Sequence, residues 1–288
     1  MSRVAIVKNE DPIDATVTAL KMVESDVASA LTQSGMKTVL IKPNYINSKH
    51  PSTGITTDSR VIEGIVQFLK ERNAANNIII GEGCGFADTF YAFKVAGVDA
   101  VAERWNVKLV DLNHDEFVEV YPPNPLNLKK TKVAKTALES TIISVPKLKP
   151  HRIATVTLSL KNMMGALASK GSMHKGTSLS ENIADLASVI KPNIAVIDGI
   201  IAGEGHETSG NPVPMNLVIA GIDPVAVDAV GAAIMGIQPT DVKHLRLAEK
   251  KGLGTCTLNN ITVLGEPIEK VCRKFHRSLS SRVLAHIG

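Results

Sequence analysis

The stretch Thr38-Val39-Leu40-Ile41-Lys42-Pro43-Asn44 decides the fold. Its opening residues are apolar or β-branched with no polar alternation, the pattern of a strand covered on both faces. Lys42, Pro43 and Asn44 stand at the carboxyl end of that strand. Downstream, Thr57 or Asp58 caps a helix on which Val61, Ile62, Ile65, Val66 and Leu69 share a face. Asn77-Ile78-Ile79-Ile80 is the next buried strand, and it runs into Gly81-Glu82-Gly83-Cys84-Gly85. Strand, helix and strand in this order build a parallel sheet.

The rhythm extends in both directions. Val4 to Val7 is a strand, and residues 16–31 place Val17, Leu20, Val23, Val27 and Leu31 on one helix face. A helical stretch ending near Trp105 precedes a strand at 108–111, and residues 117–121 alternate as an edge strand. Pro122, Pro123 and Pro125 force a turn. Residues 141–145 form a strand followed by Lys147-Leu148-Lys149-Pro150-His151-Arg152, while 156–160 fits either period. Strands at 193–197 and 216–219, a helix from Pro224 and a strand at 261–264 complete the body. The expected fold is α/β, a mostly parallel sheet flanked by helices; a division into two lobes would fall at 122–138. The body covers 1–267, and 268–288 is a basic amphipathic tail with Ile268, Val271, Phe275 and Leu279 on one face.

Composition narrows the function. Apolar residues make up 44% of the 288 residues and charged residues 21%, ordinary values for a globular chain with its own core. The net charge of +4 and ten aromatic residues (Phe 6, Tyr 3, Trp 1) argue against nucleic acid as a partner. Basic segments at 129–152 and 270–282 carry no recognised motif for it. Cys84, Cys256 and Cys272 are far apart, so no cysteine motif for an iron–sulfur cluster lies within the chain. A polar amino terminus and an odd cysteine count suit a cytoplasmic location. Residues 217–237 are nearly uncharged, but Asp223, Pro224 and Asp228 at the centre read as a buried strand and helix rather than a membrane span.

Ligands of open α/β sheets bind beyond the carboxyl ends of strands, so the polar residues there are the candidates. Lys42 and Asn44 end one strand, Lys149 and His151 follow another, and Asp198 ends a third beside Gly199. Lys161 and Asn162 interrupt the apolar run 160–167, and His174 lies in the polar loop beyond. Lysine beside histidine supplies a fixed cation and a group titrating near neutrality, suited to anion binding or proton transfer. Burial would lower the pKa of Lys161 unless an acid partners it. Asp228, in a helix with Val225, Val227, Val230 and Ile234, is a carboxylate that burial would force to pair, with Lys161 or a strand-end lysine. Asp223 before Pro224 reads as a helix N-cap. No GxxxxGK[ST] is present, and the glycines at 81, 83 and 85 do not form GxGxxG, so no cofactor is identified. Glu204, His206, Glu207 and His174 are metal-ligand types without a standard zinc spacing, and Gly203, Gly205 and Gly210 suggest a mobile loop.

The ordered motifs VLIKPN, TTD, VPKLKPH, TLSLKNMMG, IAVIDGI and GIDPVAVDAVGA, spread over 39–264, resemble those of the DUF362 family of α/β proteins. The resemblance implies a fold and a site location, with no substrate. Some members of that family carry a ferredoxin-like module with cysteine-ligated clusters, and this chain lacks its cysteines. A remote likeness to the amino-terminal region of the nickel-dependent lactate racemases rests on architecture alone.

Two functions are consistent with these residues. In the first, a cytoplasmic enzyme binds a small carboxylated or phosphorylated metabolite through Lys42, Asn44, Lys149, Asn162, His174 and Asp198. Lys161 or His151 transfers a proton, with Asp228 or Asp198 tuning the cation, in isomerase or lyase chemistry. In the second, a non-catalytic accessory protein handles a metal, a cluster or an acidic redox protein docked on Lys270, Arg273, Lys274 and Arg277.

Overall fold

The computed structural model describes residues 1–174 and 178–278. Strand β1 (Ser2–Lys8) leads to Asp11, whose carboxylate accepts from Ile13 N and Asp14 N and so caps α1 (Pro12–Met22). The single helix expected over 16–31 is two: Val23 leaves helical geometry, and α2 (Glu24–Ser34) starts afresh and ends at the left-handed Gly35. Strand β2 (Thr38–Lys42), helix α3 (Ser59–Glu71) capped by Asp58, and strand β3 (Asn77–Glu82) form the expected unit. Helices α4 (Thr89–Ala96) and α5 (Val98–Trp105), broken at Gly97, precede β4 (Lys108–Asp111).

The proline-rich turn joins β5 (Phe117–Val120) to β6 (Thr131–Ala134) as a separate two-stranded ribbon. After the short α6 (Lys135–Leu138) comes β7 (Ser140–Ser144). The ambiguous region resolves into the two-residue strands β8 (Pro150–His151) and β9 (Thr155–Val156), followed by α7 (Leu158–Asn162). Helix α8 (Leu179–Ala187) leads to β10 (Ile194–Glu204) and β11 (Asn211–Gly221). Asp223 caps α9 (Pro224–Ile234) through Val225 N and Ala226 N. Helix α10 (Lys243–Lys250), strand β12 (Ile261–Gly265) and helix α11 (Ile268–Val271) close the described chain.

Eight strands make one sheet in the order β12-β1-β11-β10-β7-β2-β3-β4. β11 is antiparallel to both neighbours, and the other neighbouring pairs are parallel. The fold is therefore α/β with a mostly parallel sheet. Period-2 alternation divides the core: Leu40 and Ile79 face the side covered by α8, α9 and α10, while Val39, Ile41, Ile78 and Ile80 face α1, α3 and α4. The strands expected at 193–197 and 216–219 are longer, eleven residues each, and pair as an antiparallel hairpin rather than through a helical crossover. Gly203 lies inside β10, whereas Gly205 and Gly210 stand at the two ends of the loop 205–210 that joins β10 to β11. Gly203 is needed there because an added Cβ would come within 2.3 Å of Gly54 O. Of the tail, Val271 and Phe275 are buried against the body, while Leu279 and the rest of 279–288 lie outside the described residues.

Candidate functional site

β2, β3 and β7 end on polar residues: Lys42, Glu82 and Ser144, all buried. Lys42 Nζ donates to Glu82 Oε1 at 2.8 Å, Asn162 Oδ1 at 3.2 Å and Pro43 O at 3.1 Å, so all three of its N–H groups are used inside the protein. Burial pushes the Lys42 ammonium down and the Glu82 carboxyl up, and their mutual attraction opposes both. Asn162 completes the junction, donating to Lys42 O and Ser144 Oγ and accepting from Asn44 Nδ2. Asn44 Oδ1, also buried, has no partner. Gly165 closes against the pair: a Cβ there would meet Glu82 Oε1 at 2.2 Å and Lys42 Nζ at 2.6 Å.

Asn162 and Lys161 sit on α7, a helix of five residues that cannot hold itself in place. Asp228 of α9 does so from outside. Its Oδ1 accepts from Ser159 N at 2.7 Å and from Ser159 Oγ, and its Oδ2 accepts from Leu160 N at 3.0 Å. Leu158 enters the helix at φ 35°, a left-handed value that costs a leucine energy. The expected pairing of Asp228 with a lysine is thus corrected: backbone and hydroxyl donors satisfy the buried carboxylate instead. Without a cation, burial pushes its pKa up to about 7 against those hydrogen bonds.

Lys161 has no hydrogen-bond or ion-pair partner among the described residues. Burial of its ammonium lowers the pKa to about 8, with Glu207 pulling the other way. Around it stand Lys149, His151 and His174, each of which feels its charge. Lys149 Nζ donates to Ile55 O at 2.7 Å and Glu207 O at 3.1 Å. Burial, then the charges of Lys161 and Lys147, take Lys149 down to about 7. His151 Nδ1 accepts from Ile153 N and Ala154 N, both at 3.1 Å, so the neutral ring carries its proton on Nε2. That atom lies 3.6 Å from Glu207 Oε1. Burial and then Lys161 hold His151 well below its ordinary value, so the ring is neutral. His174 stacks on His151 with ring centroids 6.1 Å apart, and Arg152 Nε reaches Glu207 Oε1 at 3.1 Å.

The candidates therefore fall into two adjoining groups joined by α7: Lys42, Asn44 and Asn162 with Glu82, and Lys149, His151, Lys161 and His174 with Glu207. Asp198 belongs to neither. It lies within β10 at a register shift, not at a strand end, and holds Lys147 Nζ at 2.6 Å while accepting from Asp58 N and Ile200 N. The sequence reading passed over Glu82, whose signal was an acid at a strand end between two glycines, and gave Glu207 only as a metal-ligand type. It also passed over His244, fully buried with neither ring nitrogen partnered. Among the described residues no group of three or more His, Cys, Asp and Glu is disposed to hold a metal ion.

These strand ends and α7 coincide with the motifs that resemble DUF362. The family described as "Domain of unknown function (DUF362)" matches residues 39–233. The chain is a DUF362 protein. All the candidate residues lie inside that matched span, whereas His244 and the tail of this DUF362 chain lie beyond it. It is also similar to the "Thylakoid-associated protein sll1697" of Synechocystis sp., at 24% identity over 242 residues, covering 81% of this chain and 74% of that protein. Among the described residues, no helix of the DUF362 chain is long and apolar enough to cross a membrane.

Proposed function

We propose that this protein is a cytoplasmic enzyme acting on a small carboxylated or phosphorylated metabolite at the carboxyl edge of the sheet. One observation carries the reading: Lys161 presents an ammonium with no partner among the described residues beside Lys149, His151, His174 and Glu207. A cation left open in a partly buried site is satisfied by an anionic ligand. The anion sits on Lys161, with His174 at its outer side. Lys149, at about 7, exchanges a proton near neutrality, and neutral Lys149 still has two N–H groups for Ile55 O and Glu207 O. Lys161, at about 8, is the proton donor to the bound anion's reacting group. Neutral His151 keeps its Nε2 proton and offers it as a hydrogen bond, because losing it would leave an imidazolate beside the Glu207 carboxylate. The Lys42, Glu82 and Asn162 junction and Asp228 act as positioning groups under this scheme, because their polar atoms point into the protein. Isomerase or lyase chemistry follows from proton transfer alone.

Native mass spectrometry of gently purified protein tests this reading, followed by calorimetric titration with small carboxylates and phosphate esters. A retained or titrating anion whose binding is lost in Lys161→Met supports it; binding unchanged in that variant overturns it.

A second reading has its own observation. Lys270, Arg273 and Lys274 are exposed while Val271 and Phe275 anchor the segment, and Gly205 N bonds His276 O at the hairpin end near Glu207. That surface suits an acidic redox protein. Salt-sensitive binding of an acidic ferredoxin, lost on reversing these three charges, supports it; binding indifferent to them removes it.

A further inference from the structure

His244, the second residue of α10, is fully buried, and neither Nδ1 nor Nε2 has a hydrogen-bond partner. A buried imidazole has two polar atoms to satisfy, and leaving both open is costly. Its helix packs on α8, and α8 packs in turn on α7, the carrier of Lys161. The next-door Lys243 Nζ is engaged with Glu181 Oε1 at 3.0 Å, so the region is otherwise tied together by ordinary contacts. Burial and then the charge of Lys161 take His244 down to about 3, which keeps the ring neutral and places it within the field of that ammonium. Two polar groups without partners among the described residues, one cationic and one neutral, thus stand on α7 and α10, two helices that both pack on α8.

Building on the anion-site reading above, we propose that His244 forms the inner wall of the Lys161 site and hydrogen-bonds an uncharged oxygen of the ligand. A neutral imidazole offers one donor and one acceptor. The two ring nitrogens point apart, so one ligand oxygen engages one of them: a hydroxyl can bond either nitrogen and a carbonyl only the N–H. The substrate class is thereby narrowed from any small anion to one that carries a hydroxyl or carbonyl group a short distance from its charged end. A site built to bond such an oxygen discriminates against the analogue lacking it, because the imidazole is then left unpaired.

The test is calorimetric titration of the full chain with two matched pairs: ethyl phosphate against 2-hydroxyethyl phosphate, and butanoate against 3-hydroxybutanoate. In the wild type, at least one hydroxylated probe is expected to bind about tenfold tighter than its partner. His244→Phe is expected to bind both members of that pair with the weaker affinity, and His244→Asn, which keeps a donor and an acceptor, to recover part of the preference. Equal affinities in the wild type overturn the inference without any variant, as does a wild-type preference surviving in a folded His244→Phe. Lys161→Met distinguishes the two levels: loss of both members there with no role for His244 leaves the anion site standing. No saturable binding of any probe, or binding indifferent to Lys161→Met, removes the anion site itself and the role of His244 with it.

Discussion

At the scale of single residues, buried lysines with an ion-pair partner contrast with Lys161, which has none among the described residues. Lys42 and Lys147 are fully buried and paired with Glu82 and Asp198. Removing either cation strands a carboxylate in the interior, so Lys42→Met is expected to lower stability by about 3–5 kcal/mol in denaturant unfolding. Gly165→Ala presses on the same ion pair, and a loss of about 1–3 kcal/mol is expected from the overpacking. Lys161 has no such partner, so Lys161→Met is expected to abolish anion binding while leaving unfolding within about 0.5 kcal/mol or shifting it upward. The pH dependence of binding follows from Lys161 and the neighbouring Lys149. An anion binds their protonated forms, so affinity should fall as pH rises through about 7 and about 8, where Lys149 and Lys161 lose their protons. Titrations from pH 6 to 9 check this, and a flat profile would be inconsistent with it.

Among the elements, α7 matters most, and it is the part least legible in the sequence. The buried strands at 38–42 and 77–82 could be read from composition because both faces are covered and nothing polar interrupts them. Residues 156–160 could not, because their conformation is set from a distance by Asp228 and by a left-handed Leu158, neither of which leaves a local periodicity. The same physics separates the Asp228 expectation from the outcome: the need for a partner was evident, but backbone N–H groups as that partner were not. Asp228→Asn replaces one acceptor with a donor facing Leu160 N, so a loss of about 1–3 kcal/mol is expected together with weaker anion binding. The sign with pH is fixed too. A carboxyl raised to about 7 in the folded state contributes stability that is complete below its unfolded pKa of about 4 and fades as pH rises through 7. In unfolding followed from pH 4 to 8, the stability of Asp228→Asn relative to wild type should rise with pH, since lowered bases such as His244 act with the opposite sign but equally in both proteins.

For the whole molecule, the mostly parallel sheet brings the ends of β2, β3 and β7 to one edge, where residues as distant in sequence as Lys42, Glu82, Ser144 and Asn162 meet. That edge was legible, because strand polarity can be inferred from alternating strands and helices. The β10–β11 hairpin was not: an intervening glycine-rich segment reads the same whether it reverses the chain or crosses over it. This reversal carries Glu207 to Lys149 and His151, completing the second group of polar residues. Lys161 is the central claim, and its own titration tests that most directly. Trace acetylation of the intact protein across pH 6 to 11, read lysine by lysine by mass spectrometry, should show Lys161 titrating near 8 and shielded by a bound anion. Titration in the ordinary lysine range near about 10.4, with no shielding by any carboxylate or phosphate ester, would contradict it.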